Sequence, residues 1–353
     1  MQRVLLAAWL AGKGDVMVMM RAALIREHGG PDVLEVGEVE CPSPGPGEIL
    51  VRVGACALNH LDIFVRRGMP GMRFTFPHIS GGDIAGWVEA AGDQSGQYLI
   101  NSPVLLDPIV NGHALGEGPW GGLAEYVVVP VENAIPLEGD QVDLKRFAAL
   151  PIAYGTAYRM LCTRAQLAAG QTIAILGAAG GVGVACVQFA HRIGAKVIAC
   201  SSSDAKLARL RDLGADETIN TAREDFSRRV WELTGKTGAD VVVDYNGQDT
   251  WPGSIRCTRP GGKLVTCGAT TGYEAVTDLR YVWTRELTIV GSDGWTRDDL
   301  RTIVDLVQRG ELEPVIHGVF PLSQIREAEA EIEERRTFGK VIVVPDQVTH
   351  GRA

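Results

Sequence analysis

Apolar and polar positions follow two different rhythms along this chain, and the change between them divides the sequence. From Met20 to about Ala149 the apolar residues come in short runs, many alternating with polar ones. Met20-Arg-Ala-Ala-Leu-Ile25 opens the series, and Val33 to Val39, Glu48 to Ala57, Ile84 to Ala90, Val104 to Val110 and Ala124 to Val129 each read as a strand. Turn signals such as Pro42-Ser-Pro-Gly-Pro-Gly47 separate them. This half predicts a small, mostly antiparallel, barrel-like domain.

After Pro151 the rhythm changes. Strands are expected at 172–176, 196–200, 217–220, 241–245 and 262–267, and helices at 181–193, 204–213, 224–234 and 250–258. Such alternation means βαβ units, hence a parallel sheet with helices on both faces. Leu287-Thr-Ile-Val290 is expected as a further strand at the sheet edge. The last stretch returns to the first style, with a helix over 324–335 and a strand over Lys340–Val344. One domain is therefore expected from 20–149 with 293–353, and the other from 150–292. Residues 1–19 read as an N-terminal extension. Their apolar core looks superficially like a signal peptide, but it is short, and Gly12-Lys-Gly-Asp15 offers no clear cleavage site.

Composition narrows the function classes. At 353 residues the chain is long enough for two full cores. No apolar run approaches the roughly 20 residues that span a membrane. Net charge is −9 without any lysine- or arginine-rich run, so a nucleic-acid footprint is missing. The seven cysteines form no CxxC pair, and Cys56, Cys186, Cys200 and Cys267 sit in apolar patterns as small hydrophobes. A reducing, cytoplasmic setting is the expectation.

One segment carries specific chemistry. Thr172-Ile-Ala-Ile-Leu-Gly177-Ala-Ala-Gly180-Gly-Val-Gly183 runs from a buried strand through a glycine turn into a helix beginning near Gly181. The helix N-terminus then presents its N–H groups to a pyrophosphate. The glycines admit the anion and let helix and strand pack closely. A glycine fingerprint alone is weak. Here a strand precedes it, a helix follows, and a second strand, Lys196–Cys200, comes after.

Several further segments recur in a known order: Gly29-Gly-Pro-Asp-Val-Leu34, Pro44-Gly-Pro-Gly-Glu48, Ala57-Leu-Asn-His-Leu-Asp62, Gly81-Gly-Asp-Ile-Ala-Gly86, Leu150-Pro-Ile-Ala-Tyr-Gly-Thr156 and Phe338-Gly-Lys-Val-Ile-Val343. With the glycine turn they make the chain after Met20 resemble the medium-chain dehydrogenase/reductase superfamily. The similarity is to its zinc-free quinone oxidoreductase, zeta-crystallin and enoyl reductase branch. The resemblance implies an α/β protein, a Rossmann-type doubly wound parallel sheet domain plus a β-rich GroES-like barrel domain. It further implies a small-molecule substrate and a homodimer joined through the Leu287–Val290 edge, which would otherwise expose unpaired backbone groups.

Cofactor preference is read after the second strand. Ser201 stands where an NAD site places a carboxylate, and Lys206 follows in the next helix, a pair suited to the 2′-phosphate of NADPH. Asp204 complicates this, as a partner for a ribose hydroxyl or a first-turn helix charge. The resemblance places Gly180, Gly181 and Val182 at the pyrophosphate, Asn246 near the adenosine-side ribose, and Thr156, Cys267, Gly268 and Ala269 near the nicotinamide. Lys340 resembles a basic residue that reaches the cofactor, or is a plain strand-edge lysine.

Zinc-dependent relatives need about three protein ligands at the catalytic metal. The matching positions here carry Asn59, Gly82 and an apolar residue near Ile152, and Asp93 to Trp120 lacks the four cysteines of a structural zinc lobe. No metal is expected. Without a Lewis acid, hydride donation suits an electron-poor acceptor, a quinone or an α,β-unsaturated carbonyl. Catalytic candidates are Asn59, His60, Asp62 and Tyr154. The tyrosine that some relatives use as proton donor is Phe64 here, which brings Tyr154 forward. Asn59 also reads as a turn cap, Asp62 as bonded to a backbone N–H or paired with Arg66, and Tyr154 equally as core packing. Pocket walls are expected from loops 66–76 and 111–121. The alternatives are an alcohol dehydrogenase or ketoreductase, and a non-catalytic NADPH-binding protein.

Overall fold

The computed structural model describes residues 18–69, 71–139 and 141–346. The proposed N-terminal extension therefore lies almost wholly outside the described residues. The chain forms two compact units, one running up to Ile152 and resuming at Val307, the other Ala153–Leu306. The return crossing falls inside a helix, Arg297–Gln308, later than the expected 292/293.

In the first unit, β1 (Met19–Ile25) pairs antiparallel with β2 (Leu34–Glu40). The main sheet is built on β3 (Glu48–Leu58), which leads through α1 (His60–Arg67) to β4 (Asp83–Ala91). Then come β5 (Pro103–Leu106), a small ribbon of β6 (Ile109–Val110) and β7 (His113–Ala114), β8 (Tyr126–Pro130), β9 (Ala134–Pro136) and α2 (Leu144–Ala148). The later β16 (Ile316–Pro321), α10 (Ile325–Glu333) and β17 (Lys340–Val344) complete the unit. Strand order is β16-β17-β3-β4-β5-β9, with β8 also paired to β3. Every pairing in this sheet is antiparallel except β16 with β17. Ile49, Leu50, Ile84, Val104 and Val129 are fully buried and anchor one continuous core.

The second unit starts with α3 (Pro151–Tyr158), continued by a π-helical turn, Arg159–Arg164. It alternates as expected: β10 (Thr172–Ile175), α4 (Gly181–Ile193), β11 (Lys196–Ser201), α5 (Asp204–Asp212), β12 (Glu217–Asn220), α6 (Phe226–Leu233), β13 (Ala239–Val243), α7 (Trp251–Cys257) and β14 (Thr258–Thr266). The short α8 (Leu279–Thr284), β15 (Thr288–Gly291) and α9 (Arg297–Gln308) follow. All six strands are parallel, in the order β12-β11-β10-β13-β14-β15. Strand order reverses between β10 and β13, and ligands of such sheets bind outside the carboxyl ends of the strands at that point. β15 is an edge strand, as its sequence predicts.

Candidate functional site

In the first unit the candidate residues gather where β3 passes into α1. Asn59 caps that helix with extended backbone (φ −132°). Its N–H donates to Asp62 Oδ2 at 2.8 Å, while Asp62 Oδ1 accepts the Gly81 N–H at 2.8 Å. Gly81 has φ +98°, and a Cβ there would meet Cys56 Sγ at 2.7 Å. Asp62 thus ties a helix start to a turn only glycine fits. Burial raises its carboxyl to about 6, although both backbone donors oppose the shift. With both oxygens committed to backbone, Asp62 is a positioning group and not the catalytic acid considered above. Nor does it pair with Arg66. That guanidinium is buried and donates to Glu329 Oε2 and Glu333 Oε1, each at 2.7 Å, and to Gly29 O at 3.0 Å.

Asn59 and Lys340 are also reassigned. Lys340 Nζ donates to Asn59 Oδ1 at 2.6 Å, Leu58 O at 2.9 Å and Asp83 Oδ2 at 2.9 Å, which uses all three ammonium protons. Asn59 Nδ2 donates to the same Asp83 oxygen at 2.9 Å, and Asp83 Oδ1 accepts the Ile152 N–H at 2.8 Å. Lys340 is therefore an interior cation bracing β17 against β3 and β4, not a hand extended to a cofactor. The amide of Asn59 is held at both ends and is not offered to a substrate. Asp83 was not among the expected site residues. Its signal is a carboxylate opening the apolar, buried first half of a strand, which requires a partner.

His60 keeps part of its surface in solvent, yet the protein packed around the ring, then the Lys340 and Arg335 cations, lower its pKa. The three positions aligned with zinc ligands hold an amide already bonded to an ammonium, a glycine and an isoleucine. Among the described residues no three His, Cys, Asp or Glu side chains group as a metal site. This donor set does not fit a catalytic zinc.

In the second unit the glycine turn has the expected form. Gly180 is the N-cap of α4, and no side chain satisfies its first N–H groups, which leaves them for an anion. Gly177 adopts φ +63°, and a Cβ on Gly183 would lie 2.5 Å from the Ala178 carbonyl carbon. Asn246 follows β13 beside this turn, its Oδ1 3.1 Å from where a Gly177 Cβ would stand. Tyr245 Oη donates to Gly177 O at 2.9 Å and holds the turn in place. These residues fit a dinucleotide at the sheet's switch point.

Ser201 ends β11, largely buried, and Lys206 lies one turn into α5. Asp204 is engaged elsewhere: Oδ1 accepts from Asn220 Nδ2 and Oδ2 pairs with Arg223, both at 2.6 Å. Thr156 is nearly buried on α3. Cys267, Gly268 and Ala269 line a cavity of about 750 Å³, together with Gly247 and the end of β15. Tyr154 overturns an expectation. It is fully buried, its hydroxyl donates to Gln188 Oε1 at 2.8 Å, and its ring meets Phe189 edge-on at 6.0 Å. It packs as a core residue, and its burial with a hydroxyl already bonded to Gln188 speaks against the proton-donor assignment.

A parallel sheet with this switch point and glycine turn defines a dinucleotide-binding protein. Comparison with known proteins gives the family. Residues 45–139 match the alcohol dehydrogenase GroES-like domain and residues 181–309 the zinc-binding dehydrogenase domain. A quinone oxidoreductase of Pseudomonas aeruginosa is 33% identical over 330 residues, covering 90% of this chain and 97% of that one. A 2-haloacrylate reductase of a Burkholderia species is 31% identical over 346 residues, covering 93% and 99%. A solved structure described as an NAD-dependent alcohol dehydrogenase is 37% identical, with a TM-score of 0.88 over 93% of this chain and all of that one. The chain belongs to the medium-chain dehydrogenase/reductase superfamily, in its quinone oxidoreductase-like branch.

Proposed function

We propose that this protein is a zinc-independent reductase that passes a hydride from NADPH to a quinone or an α,β-unsaturated carbonyl. The observation that carries the reading is the interior ammonium of Lys340, bonded to Asn59 where zinc enzymes of the superfamily place a ligand. A dication beside that ammonium would be repelled, so alkoxide chemistry lacks its Lewis acid. The bound nicotinamide supplies the hydride. The chain's own residues hold the dinucleotide at Gly180, Gly181 and Val182, orient the acceptor and exclude water. With Tyr154 in the core, Asp62 capped and the Asn59 amide bonded at both ends, His60 is the proposed catalytic group left exposed. Its lowered pKa leaves it neutral at pH 7 and a weak acid, so the completing proton is assigned to water.

Preference for NADPH rests on Ser201 and Lys206, and on the capture of Asp204 by Asn220 and Arg223. Homodimer formation through β15 is supported by the exposed side chains of Ile289 on that strand and of Leu279 and Trp283 on the helix before it. Among the described residues no helix is long and apolar enough to cross a membrane. A reducing, cytoplasmic setting accords with seven free cysteines. The test is NADPH oxidation against a panel of quinones, enones and simple ketones with a chelator present. Turnover of the first two classes alone supports the reading, and chelator-sensitive alcohol oxidation defeats it.

A further inference from the structure

We propose that Arg223, in the turn after β12, sets the choice of NADPH over NADH: it cancels the Asp204 carboxylate and turns its remaining donors to the 2′-phosphate. This deepens the cofactor reading and rests on it for the place of the ribose. β11 and β12 end side by side, with Ser201 paired to Asn220 in register and the Thr221 N–H donating to Ser201 O at 3.1 Å. The turn from Thr221 onward therefore stands beside the strand end to which that reading assigns the ribose 2′ position.

Asn220 fixes this corner. It is 9% exposed, and its Oδ1 accepts the Ala222 N–H at 3.0 Å while its carbonyl accepts the Arg223 N–H at 3.0 Å. With that oxygen bound to a backbone donor, the amide nitrogen is turned to Asp204 and donates to Oδ1 at 2.6 Å. Arg223 Nη2 meets the other carboxylate oxygen at 2.6 Å. A carboxylate three residues past the strand end would otherwise accept a ribose 2′-hydroxyl and repel a 2′-phosphate. Here both of its oxygens are held and its charge is offset.

Fold stability does not account for the pair. The Arg223 and Asp204 side chains are 72% and 56% exposed, and exposed ion pairs contribute little. Asp204 is already favoured as the first residue of α5, at the positive end of the helix. Glu224, next in the turn, faces Arg229 at 3.8 Å. Among the described residues Asp204 is the one partner of the Arg223 guanidinium. The planar fork keeps further donors, in the geometry that suits a phosphate.

The experiment titrates the full chain by calorimetry with 2′-phospho-ADP-ribose and ADP-ribose. These differ only in the phosphate and need no turnover, so the result is independent of the reductase chemistry. The intact protein should bind the phosphorylated nucleotide more tightly. Arg223→Ala should lower that ratio about tenfold or more, as for a lost charged hydrogen bond, and Arg223→Lys should lower it less. Adding Asp204→Asn to Arg223→Ala should recover part of the ratio, because the uncancelled carboxylate is gone. An unchanged ratio in Arg223→Ala overturns the proposal, as does a double variant no better than Arg223→Ala. If the ratio survives Arg223→Ala but collapses in Lys206→Ala, the NADPH reading stands without Arg223. Equal binding of the two nucleotides by the intact protein defeats both.

Discussion

Lys340 Nζ lies 2.9 Å from Asp83 Oδ2, with the two side chains only 2% and 0% exposed. A buried pair of this kind is held by the cost of separating it. Lys340→Met should destabilise the fold by about 3–5 kcal/mol, because it leaves the Asp83 carboxylate uncompensated. Lys340→Met with Asp83→Leu should recover much of that loss. Urea unfolding of the two variants checks this, and additive penalties would contradict a coupled pair.

Tyr154→Phe removes the buried hydroxyl's hydrogen bond to Gln188. Stability should fall by about 1 kcal/mol, and kcat on an enone should change less than about threefold. Loss of a positioned general acid would cost about 10²-fold instead. Steady-state rates separate the two outcomes.

NADPH should bind at least about tenfold more tightly than NADH, near 1.4 kcal/mol. Lys206→Ala should narrow that ratio without weakening NADH. Although desolvation, and then Arg209, lower the Lys206 pKa, the proposal needs its ammonium charged at neutral pH. Equal affinities in titration calorimetry would remove the 2′-phosphate assignment.

The buried carboxyls of Asp62 and Glu329 should lose their contribution to stability as pH rises from about 5 to 7.5. Burial raises Asp62 to about 6 and Glu329 above the usual carboxylate range, the latter against the pull of Arg66. A raised carboxyl binds more protons folded than unfolded, so its contribution is full below its unfolded pKa and is lost through the folded one. The lowered carboxylates, such as Asp93 and Asp278, titrate below this window, while the lowered imidazoles of His60 and His78 act within it with the opposite sign, so the carboxyl effect is read as a difference between variants. Glu329→Gln should flatten the slope. Thermal midpoints of the intact protein and Glu329→Gln across that range check the sign: the variant should gain on the intact protein as pH rises, and a constant difference would refute it.

The parallel sheet was legible because its strands are buried runs bounded by turns, and α4, β12 and β17 fall where the periodicity puts them. Other elements were not. β14 begins at Thr258, before Pro260-Gly-Gly262, through a register shift that turn residues conceal. In α9, Leu300, Ile303, Val304 and Val307 are spaced as a helical face, a readable signal that the strand-based expectation for the returning segment passes over. Site residues were harder, since spacing marks which residues stand near a turn and not which atoms they touch. Asn59, Asp62 and Lys340 lie where the resemblance puts them, but partners as distant in sequence as Asp83 and Gly81 decide what each side chain does.

The central claim is hydride transfer from NADPH to a conjugated acceptor without metal. Its most direct test is deuterium transfer from NADPH labelled at nicotinamide C4, in chelator-treated protein, to an enone. The account predicts one deuterium at the β-carbon of the saturated ketone and a rate unchanged by the chelator. A product without label, or activity that disappears with the metal, would contradict it.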